Sequence, residues 1–193
     1  TDPAASAFGM FRIGNTTTVG NVKFAGGTLD DNAPNRAAVN LTMVGVNKFN
    51  LVSFTYVKFT NLVYHYVATG ASAVGGKVDL AFCDFDGAGL STTASHVYCG
   101  HTAVDWQSTM CNFSNAGNTG ASGAVQAWYV GACRSLTIVG GVYTNNGKCI
   151  DVRTDAAAVN VTGITIYGGS NGSGASNGCE ITSQANDAAF SDV

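Results

Sequence analysis

One stretch decides the fold, Ser135–Tyr143, with the sequence Ser-Leu-Thr-Ile-Val-Gly-Gly-Val-Tyr. Inward positions alternate at Leu136 and Ile138, the pattern slips by one residue, and alternation resumes at Gly141 and Tyr143. Successive side chains of a β-strand point to opposite faces, so each alternating pair predicts a short strand with one buried face. The slip between the pairs predicts a bend or bulge that joins two strands.

The same pattern recurs through most of the chain, which predicts a repeat protein. The last residue of each recurrence, taken as its anchor, follows the previous one at spacings of 27, 29, 28, 30 and 23 residues. Internal periods of roughly 20–50 residues are typical of solenoids and propellers. The anchors are Leu29, Tyr56, Phe85, Phe113, Tyr143 and Ile166, and the inward residues seven positions earlier are Val22, Phe49, Val78, Trp106, Leu136 and Val159.

A further strand fits midway between successive anchors, so each coil has about three short strands and no helix. A coil of roughly 28 residues cannot bury its inner face alone, and stacking on its neighbours supplies the core. The predicted fold class is therefore all-β, a single-stranded parallel β-helix (solenoid) of about six coils. Inward residues of the middle strand are predicted at Val39/Leu41, within Leu62–Val67, and at Val97/Cys99, Val125/Ala127, Ile150/Val152 and Cys179/Ile181.

Three segments, Phe82–Asp86, Ser135–Tyr143 and Asn160–Ile166, resemble coils of the right-handed parallel β-helix superfamily. That superfamily includes pectate lyases, polygalacturonases and bacteriophage tailspikes, and the resemblance is greatest to the tailspikes. It covers roughly residues 20–185 and implies a right-handed solenoid. No catalytic motif of the superfamily can be transferred to this chain residue by residue.

The domain organisation is predicted as an N-terminal cap or partial coil over residues 1–20 and a β-helix over residues 21–193. The chain starts without an initiating Met or a signal-peptide layout, and it has no evident capping helix, which favours a part of a longer protein. The expected location is the virion, in a phage tail, or the extracellular space.

Composition excludes several function classes. Charged residues make up 11% of the chain, against about 25% in typical domains, and the nine basic residues are scattered, which argues against a nucleic-acid partner. No apolar run is long enough to span a membrane. Neither a CxxC nor an HExxH motif occurs, and His65, His96 and His101 match no metal spacing, so no metal or cofactor is predicted.

The six cysteines allow two interpretations. They could form disulfides in a secreted protein. The favoured alternative is that they are small core residues of a chain made in a reducing compartment, because Cys83 and Cys111 occupy the same register of successive coils.

Outward residues of the middle strand predict a substrate-binding groove. Equivalent strands stack at about 4.8 Å, so these side chains would form a ladder of aromatic and charged groups. Aromatic rings pack on sugar rings, and Arg binds acidic substituents. Stacked polar ladders without a ligand are the alternative. The predicted substrate-binding residues are Tyr98, Gln126, Trp128 and Arg153.

Two carboxylate pairs are candidates for glycoside hydrolysis, which needs two carboxyl groups about 5–5.5 Å apart for retention or about 6.5–9.5 Å apart for inversion. The first candidate pair is Asp151 with Glu180, and the second is Asp84 with Asp86. The alternatives are turn capping for Asp86, which precedes Gly87, and an ordinary exposed position for Glu180.

These observations predict a tailspike-like virion protein that adheres to the host by binding, and in a stronger version cleaving, a bacterial surface polysaccharide. The very apolar segment Phe49–Phe59 has apolar groups on both faces, which predicts coverage by a partner subunit, and hence a homotrimer held among other virion proteins. A secreted monomeric lyase or hydrolase, and a purely structural fibre module, are the competing hypotheses.

Overall fold

The computed structural model describes residues 8–14, 16–30, 42–60, 65–87, 95–116, 126–144, 146, 148–154, 160–162, 164–167, 170–171, 177–183 and 189–191. Every regular element in these ranges is a β-strand. In chain order the strands are β1 (Phe8–Ile13), β2 (Val19–Ala25), β3 (Thr28–Asp30), β4 (Thr42–Thr55), β5 (Lys58–Thr60), β6 (His65–Val74), β7 (Lys77–Ala81), β8 (Asp84–Asp86), β9 (Ser95–Gly100), β10 (Asp105–Thr109), β11 (Asn112–Ser114), β12 (Gln126–Ala132), β13 (Ser135–Val139), β14 (Val142–Thr144), β15 (Lys148–Thr154), β16 (Asn160–Thr162), β17 (Ile164–Tyr167), β18 (Ser170–Asn171), β19 (Asn177–Ser183) and β20 (Ala189–Ser191).

The strands stack into three faces. The first face has the order β1-β4-β6-β9-β12-β15-β19, the second has β2-β4-β7-β10-β13-β17, and the third has β3-β5-β8-β11-β14-β18. The long strand β4 belongs to the first two faces, and β16 pairs separately with β20. The strands pair in parallel, for example β10 with β7 on one side and β13 on the other. The chain is therefore an all-β parallel β-solenoid.

The stretch Ser135–Tyr143 has the predicted arrangement. Leu136 and Ile138 on β13 and Tyr143 on β14 are buried, and the slip between the two strands falls at a corner. At that corner Gly140 has a φ of 66° and Gly141 a φ of 98°. Only glycine enters this left-handed region readily, so the Gly-Gly pair turns the chain from the second face to the third at little steric cost.

Bulky residues occupy the same corner in three other places. Tyr56, Phe82 and Met110 have φ values of 55°, 54° and 51°, and their amides donate to the strand-end carbonyls of Ala81, Thr109 and Val139, at 3.0, 2.9 and 2.8 Å. The corners thus stack in register and continue the ladder of the sheets. A bulky residue in the left-handed region is strained, and these three side chains are all exposed.

A column of aromatic rings fills the interior behind the third face. Phe59, Phe85, Phe113 and Tyr143 stack in turn, with ring centroids 4.6, 4.8 and 5.1 Å apart and interplanar angles of 4°, 6° and 13°. These separations match the spacing of about 4.8 Å between paired strands. Each ring therefore packs on the equivalent ring of the next strand, which gives the shared core that the repeat predicts.

Two of the six predicted anchors are wrong. Leu29 pairs with Phe59, not Tyr56, because Tyr56 occupies the left-handed corner and points to solvent. At the other end, β14 pairs with Ser170–Asn171, so Asn171 takes the position assigned to Ile166. Ile166 instead pairs with Ile138 on the second face.

The register shift at β4 also corrects the prediction of an apolar outer face. Val52, not Phe49, pairs with Val78, and the register of β4 against β6 shifts between Val46 and Lys48. Most of the apolar side chains of this segment therefore point inward, and the outward ones are the half-buried Leu51 and the exposed Tyr56. The buried ones are Phe49, Val52, Phe54, Val57 and Phe59.

The cysteines follow the favoured interpretation. Among the described residues Cys83, Cys99, Cys111, Cys133 and Cys149 are buried, and Cys83, Cys99 and Cys111 are free thiols. No helix in the described part of the chain is long and apolar enough to cross a membrane. The number of coils and the right-handed sense stay predictions.

Candidate functional site

Four residues that pair across neighbouring strands form a row along the first face. Backbone pairing places Tyr98 beside Tyr129, Tyr129 beside Asp151, and Asp151 beside Glu180. We call these four residues the tyrosine–carboxylate row. The preceding residue on each of the middle two strands, Trp128 or Ile150, is buried, so alternation along the strand directs the row to the outer side.

The two tyrosines form a stacked pair. Their ring centroids lie 5.3 Å apart with an interplanar angle of 12°, and both side chains are half-buried. Gly100 makes room for the first ring, because a Cβ at this position would lie 2.6 Å from Cε1 of Tyr98 and 2.6 Å from the carbonyl oxygen of Thr69. The glycine therefore fixes where the ring of Tyr98 lies.

A buried ion pair adjoins the tyrosines. The ammonium Nζ of Lys148 lies 3.3 Å from Oδ2 of Asp151, and the side chains are 11% and 0% exposed. Both residues belong to β15, and the contact lies within that strand, between residues i and i+3. Holding two side chains in one ion-pair geometry limits their motion.

A second polar row runs beside the first. Ser95, Gln126 and Lys148 are register neighbours on β9, β12 and β15. Gln126 is 2% exposed, and its Oε1 accepts no hydrogen bond within the described part of the chain. A buried carbonyl oxygen without a donor costs about 1–3 kcal/mol. Gln126 has the same parity on β12 as the buried Trp128, so alternation places it on the inner side of the strand.

Trp128 does not occupy the outward position that was predicted for it. Its ring is buried and packs edge-on against Trp106, with centroids 5.9 Å apart at 86°, and against Phe113 at 5.7 Å. The prediction is wrong because it placed Ala127 in the register of Val97, whereas Trp128 pairs with Val97 and Ile150. An indole beside the inner aromatic column is a core residue of this solenoid.

The corrected register identifies two residues that the sequence pattern missed, Tyr129 and Lys148. The signal that could have found them is the pairing of Trp128 with Val97 and Ile150, which moves Tyr129 to the outer side. Asp151 has the predicted phase on β15 but is 0% exposed, and Gln126, like Trp128, is buried instead of outward, because the two residues have the same parity on β12. Arg153 is the register partner of Thr182 on β19, and the side chains of Arg153 and Glu180 lie outside the described residues.

The second carboxylate pair lies on another face. Asp84 and Asp86 share the outer side of β8, as predicted, with Phe85 buried between them. Oδ1 of Asp84 accepts a hydrogen bond from Nδ2 of Asn112 at 2.8 Å, and Oδ1 of Asp86 accepts from Oγ of Ser114 at 3.1 Å and from Nδ2 of Asn115 at 2.7 Å. Both carboxylates therefore link neighbouring strands, and for Asp86 these contacts are to the next coil and not to its own turn.

His96 lies within the aromatic core. Its ring packs beside Phe85 and Phe113 at centroid distances of 6.1 and 6.0 Å, and Nε2 lies 3.3 Å from the carbonyl oxygen of Gly87. Burial lowers the pKa of His96 to about 4. Within the described part of the chain no group of three or more His, Cys, Asp and Glu residues is arranged to hold a metal ion.

The second face has an exposed ion pair that contrasts with the buried one. The guanidinium of Arg134 contacts both carboxylate oxygens of Asp105, and Oγ of Ser135 donates to Oδ1 at 2.7 Å. The hydrogen bond from Arg134 lowers the pKa of Asp105. This cluster ties β10 to β13 on the side opposite to their buried residues.

Comparison with known proteins adds no relative: no protein family, no curated protein and no solved structure matches the chain. The class is therefore defined by the structure alone. The chain is a parallel β-solenoid with a polar, tyrosine-containing patch on the outer side of its first face.

Proposed function

We propose that this chain binds a bacterial surface polysaccharide on the outer side of its first face, as a tailspike-like virion protein. The observation that carries the proposal is the stacked pair Tyr98–Tyr129 beside the buried ion pair Lys148–Asp151. The row follows the stacking direction of the strands, so a linear ligand could lie along it and contact successive strands.

Each group of the patch has a role in this proposal. The tyrosine rings offer apolar edges to the C–H surface of a sugar, and their hydroxyls donate and accept hydrogen bonds. The buried ion pair Lys148–Asp151 adjoins the rings and restrains the strand beside them. Preformed side chains reduce the entropy lost on binding.

We propose a right-handed solenoid of about six coils that forms a homotrimer in a phage tail and contacts other virion proteins. The stacked parallel strands support it, since a rigid rod presents a long surface to a polymer.

Cleavage of the bound glycan is a second candidate function, favoured by one observation. Asp151 and Glu180 are register neighbours on β15 and β19, and the strand spacing of about 4.8 Å is near the carboxyl separation of about 5–5.5 Å of retaining glycosidases. In this second candidate function Asp151 is the nucleophile and Glu180 is the acid.

Binding can be tested by immobilising purified lipopolysaccharides and capsular polysaccharides from a panel of bacterial strains and measuring retention of the chain. We expect at least one glycan to bind, and Tyr98→Ala and Tyr129→Ala to weaken binding tenfold or more. Tyr56→Ala is the matched control, because Tyr56 is an exposed tyrosine on a corner away from the row. Equal binding by all three variants would disprove the proposed site.

Cleavage is tested separately on any glycan that binds. Released oligosaccharide is measured by size-exclusion chromatography and mass spectrometry for the wild type and for Glu180→Gln. Release that Glu180→Gln abolishes without loss of binding supports catalysis. Binding without release leaves the chain an adhesin.

A further inference from the structure

Two buried thiols meet in the core directly after equivalent corners. Cys83 and Cys111 are 0% and 1% exposed, and Asn112 N–H donates to the carbonyl oxygen of Cys83 at 2.8 Å, which places the cysteines beside each other in successive strands. The backbone N–H of Cys83 also donates to Sγ of Cys111 at 3.4 Å. Neither thiol has a role in the proposed carbohydrate site.

The backbone geometry at this pair fits a disulfide. Adjacent parallel strands are about 4.8 Å apart, within the Cα separation of about 4.4–6.8 Å that disulfides require. Phe82 and Met110, the preceding residues, have nearly equal φ values of 54° and 51°. The two Cβ atoms therefore leave the backbone in the same direction, toward the interior. We propose that Cys83 and Cys111 form a disulfide between successive strands when the chain meets an oxidant such as hydrogen peroxide.

The two thiols have unequal roles in the reaction. Hydrogen bonds from the thiol and the amide of Cys83 stabilise the thiolate of Cys111 and lower its pKa, so Cys111 is the nucleophile. Its thiolate attacks peroxide, the O–O bond breaks, and a sulfenic acid and hydroxide form. The thiol of Cys83 then attacks the sulfenic sulfur, the S–S bond forms and water leaves. Two thiols are oxidised by two electrons and one peroxide is reduced.

The bond would close a loop that contains β9 and β10, and with them Tyr98 of the tyrosine–carboxylate row. Closing a loop restricts the unfolded chain and stabilises the fold. A chain made with reduced cysteines would thus become more resistant to unfolding once it is outside a reducing compartment.

The test treats the purified full chain with hydrogen peroxide, alkylates it with iodoacetamide in denaturant, and digests it for mass spectrometry. We expect a loss of two hydrogen atoms from the chain, a cross-linked peptide pair containing Cys83 and Cys111, and a higher melting temperature. In the Cys83→Ser variant no second thiol attacks the sulfenic acid, so the oxidation should end with over-oxidised Cys111. In the Cys111→Ser variant Cys83 should stay reduced and be alkylated.

A second arm of the test starts from the unfolded chain, in which both thiols are accessible to the oxidant. The unfolded chain is refolded in a buffer of oxidised and reduced glutathione, which exchanges with the same thiols, and analysed in the same way. Formation of the Cys83–Cys111 bond in either arm supports the proposal. Alkylation of both residues in both arms, or pairing of either one with a different cysteine, overturns it.

Discussion

Tyr98 and Tyr129 stack with their ring centroids 5.3 Å apart and their planes within 12°. The contact exists because β9 and β12 are parallel neighbours in register. It makes the outer side of the first face a preformed surface, since each ring restrains the other before any ligand arrives.

Gly100→Ala should disturb this pair. The new Cβ would approach both the ring of Tyr98 and the carbonyl oxygen of Thr69 at 2.6 Å, and the carbonyl belongs to the neighbouring strand. We expect the free energy of unfolding to fall by about 1–3 kcal/mol, as overpacking does, and glycan binding to weaken. Gly20→Ala is the control, because its Cβ would meet no atom within 4 Å. Chemical denaturation measures the stability of both variants, and equal stability would contradict the close approach.

Phe113→Ala should remove the middle of the inner aromatic column. Phe113 contacts Phe85 at 4.8 Å and Tyr143 at 5.1 Å, so the substitution leaves a cavity between two rings. We expect a loss of about 3–5 kcal/mol in the free energy of unfolding, measured by urea denaturation. Phe113→Leu fills more of the space, so its free energy of unfolding should fall clearly less. A loss below about 1 kcal/mol for Phe113→Ala would count against a shared core.

Met110→Gly should stabilise the chain. Met110 is 53% exposed and has a φ of 51°, whereas Gly140 occupies the next equivalent corner. The left-handed conformation costs a residue with a Cβ about 1–2 kcal/mol. Met110→Ala loses the same side-chain contacts but keeps that strain, so the difference between the two variants isolates it. We expect the free energy of unfolding of Met110→Gly to exceed that of Met110→Ala by about 1 kcal/mol in thermal denaturation. The reverse order would refute a strained corner.

His96 should make stability depend on pH. The folded-state pKa is about 4, below the ordinary value of 6.5, because burial disfavours the charged ring. The unfolded chain therefore binds the proton first as pH falls, and the contribution of the neutral ring is lost between about pH 6.5 and pH 4. The loss would reach about 3 kcal/mol over that window. His96→Phe should flatten the profile there, and parallel profiles for the two proteins would contradict the assignment.

The two ion pairs should differ in their effect on stability. Lys148→Met leaves the buried carboxylate of Asp151 without its ammonium, and breaking a buried pair costs about 3–5 kcal/mol. Arg134→Met acts on a pair whose side chains are 57% and 29% exposed, and such pairs contribute about 0–1 kcal/mol. Urea denaturation at low and high salt should show a large, salt-independent loss for the first variant and a small, salt-sensitive loss for the second.

The repeat made the fold predictable, because a solenoid repeats its inward pattern in every coil. Val78, Leu80, Cys83 and Phe85 alternate and slip as Leu136, Ile138, Gly141 and Tyr143 do, and the two series superpose in register. Local alternation and side-chain size were enough for those strands. They were not enough at Tyr56, where an aromatic residue occupies the left-handed corner and is exposed, while Phe59 fills the interior position.

The candidate site depended on register in a way that the sequence could not resolve. A shift of one residue on β12 exchanges the inner and outer sides of the strand, and it moved Trp128 into the core and Tyr129 to the surface. The apolar periodicity by itself determined that the chain is a parallel β-solenoid, because every coil needs the same buried face. Only the tertiary structure decided which side chains share a row, because hydrogen bonds between distant strands, not neighbours along the chain, set their alignment.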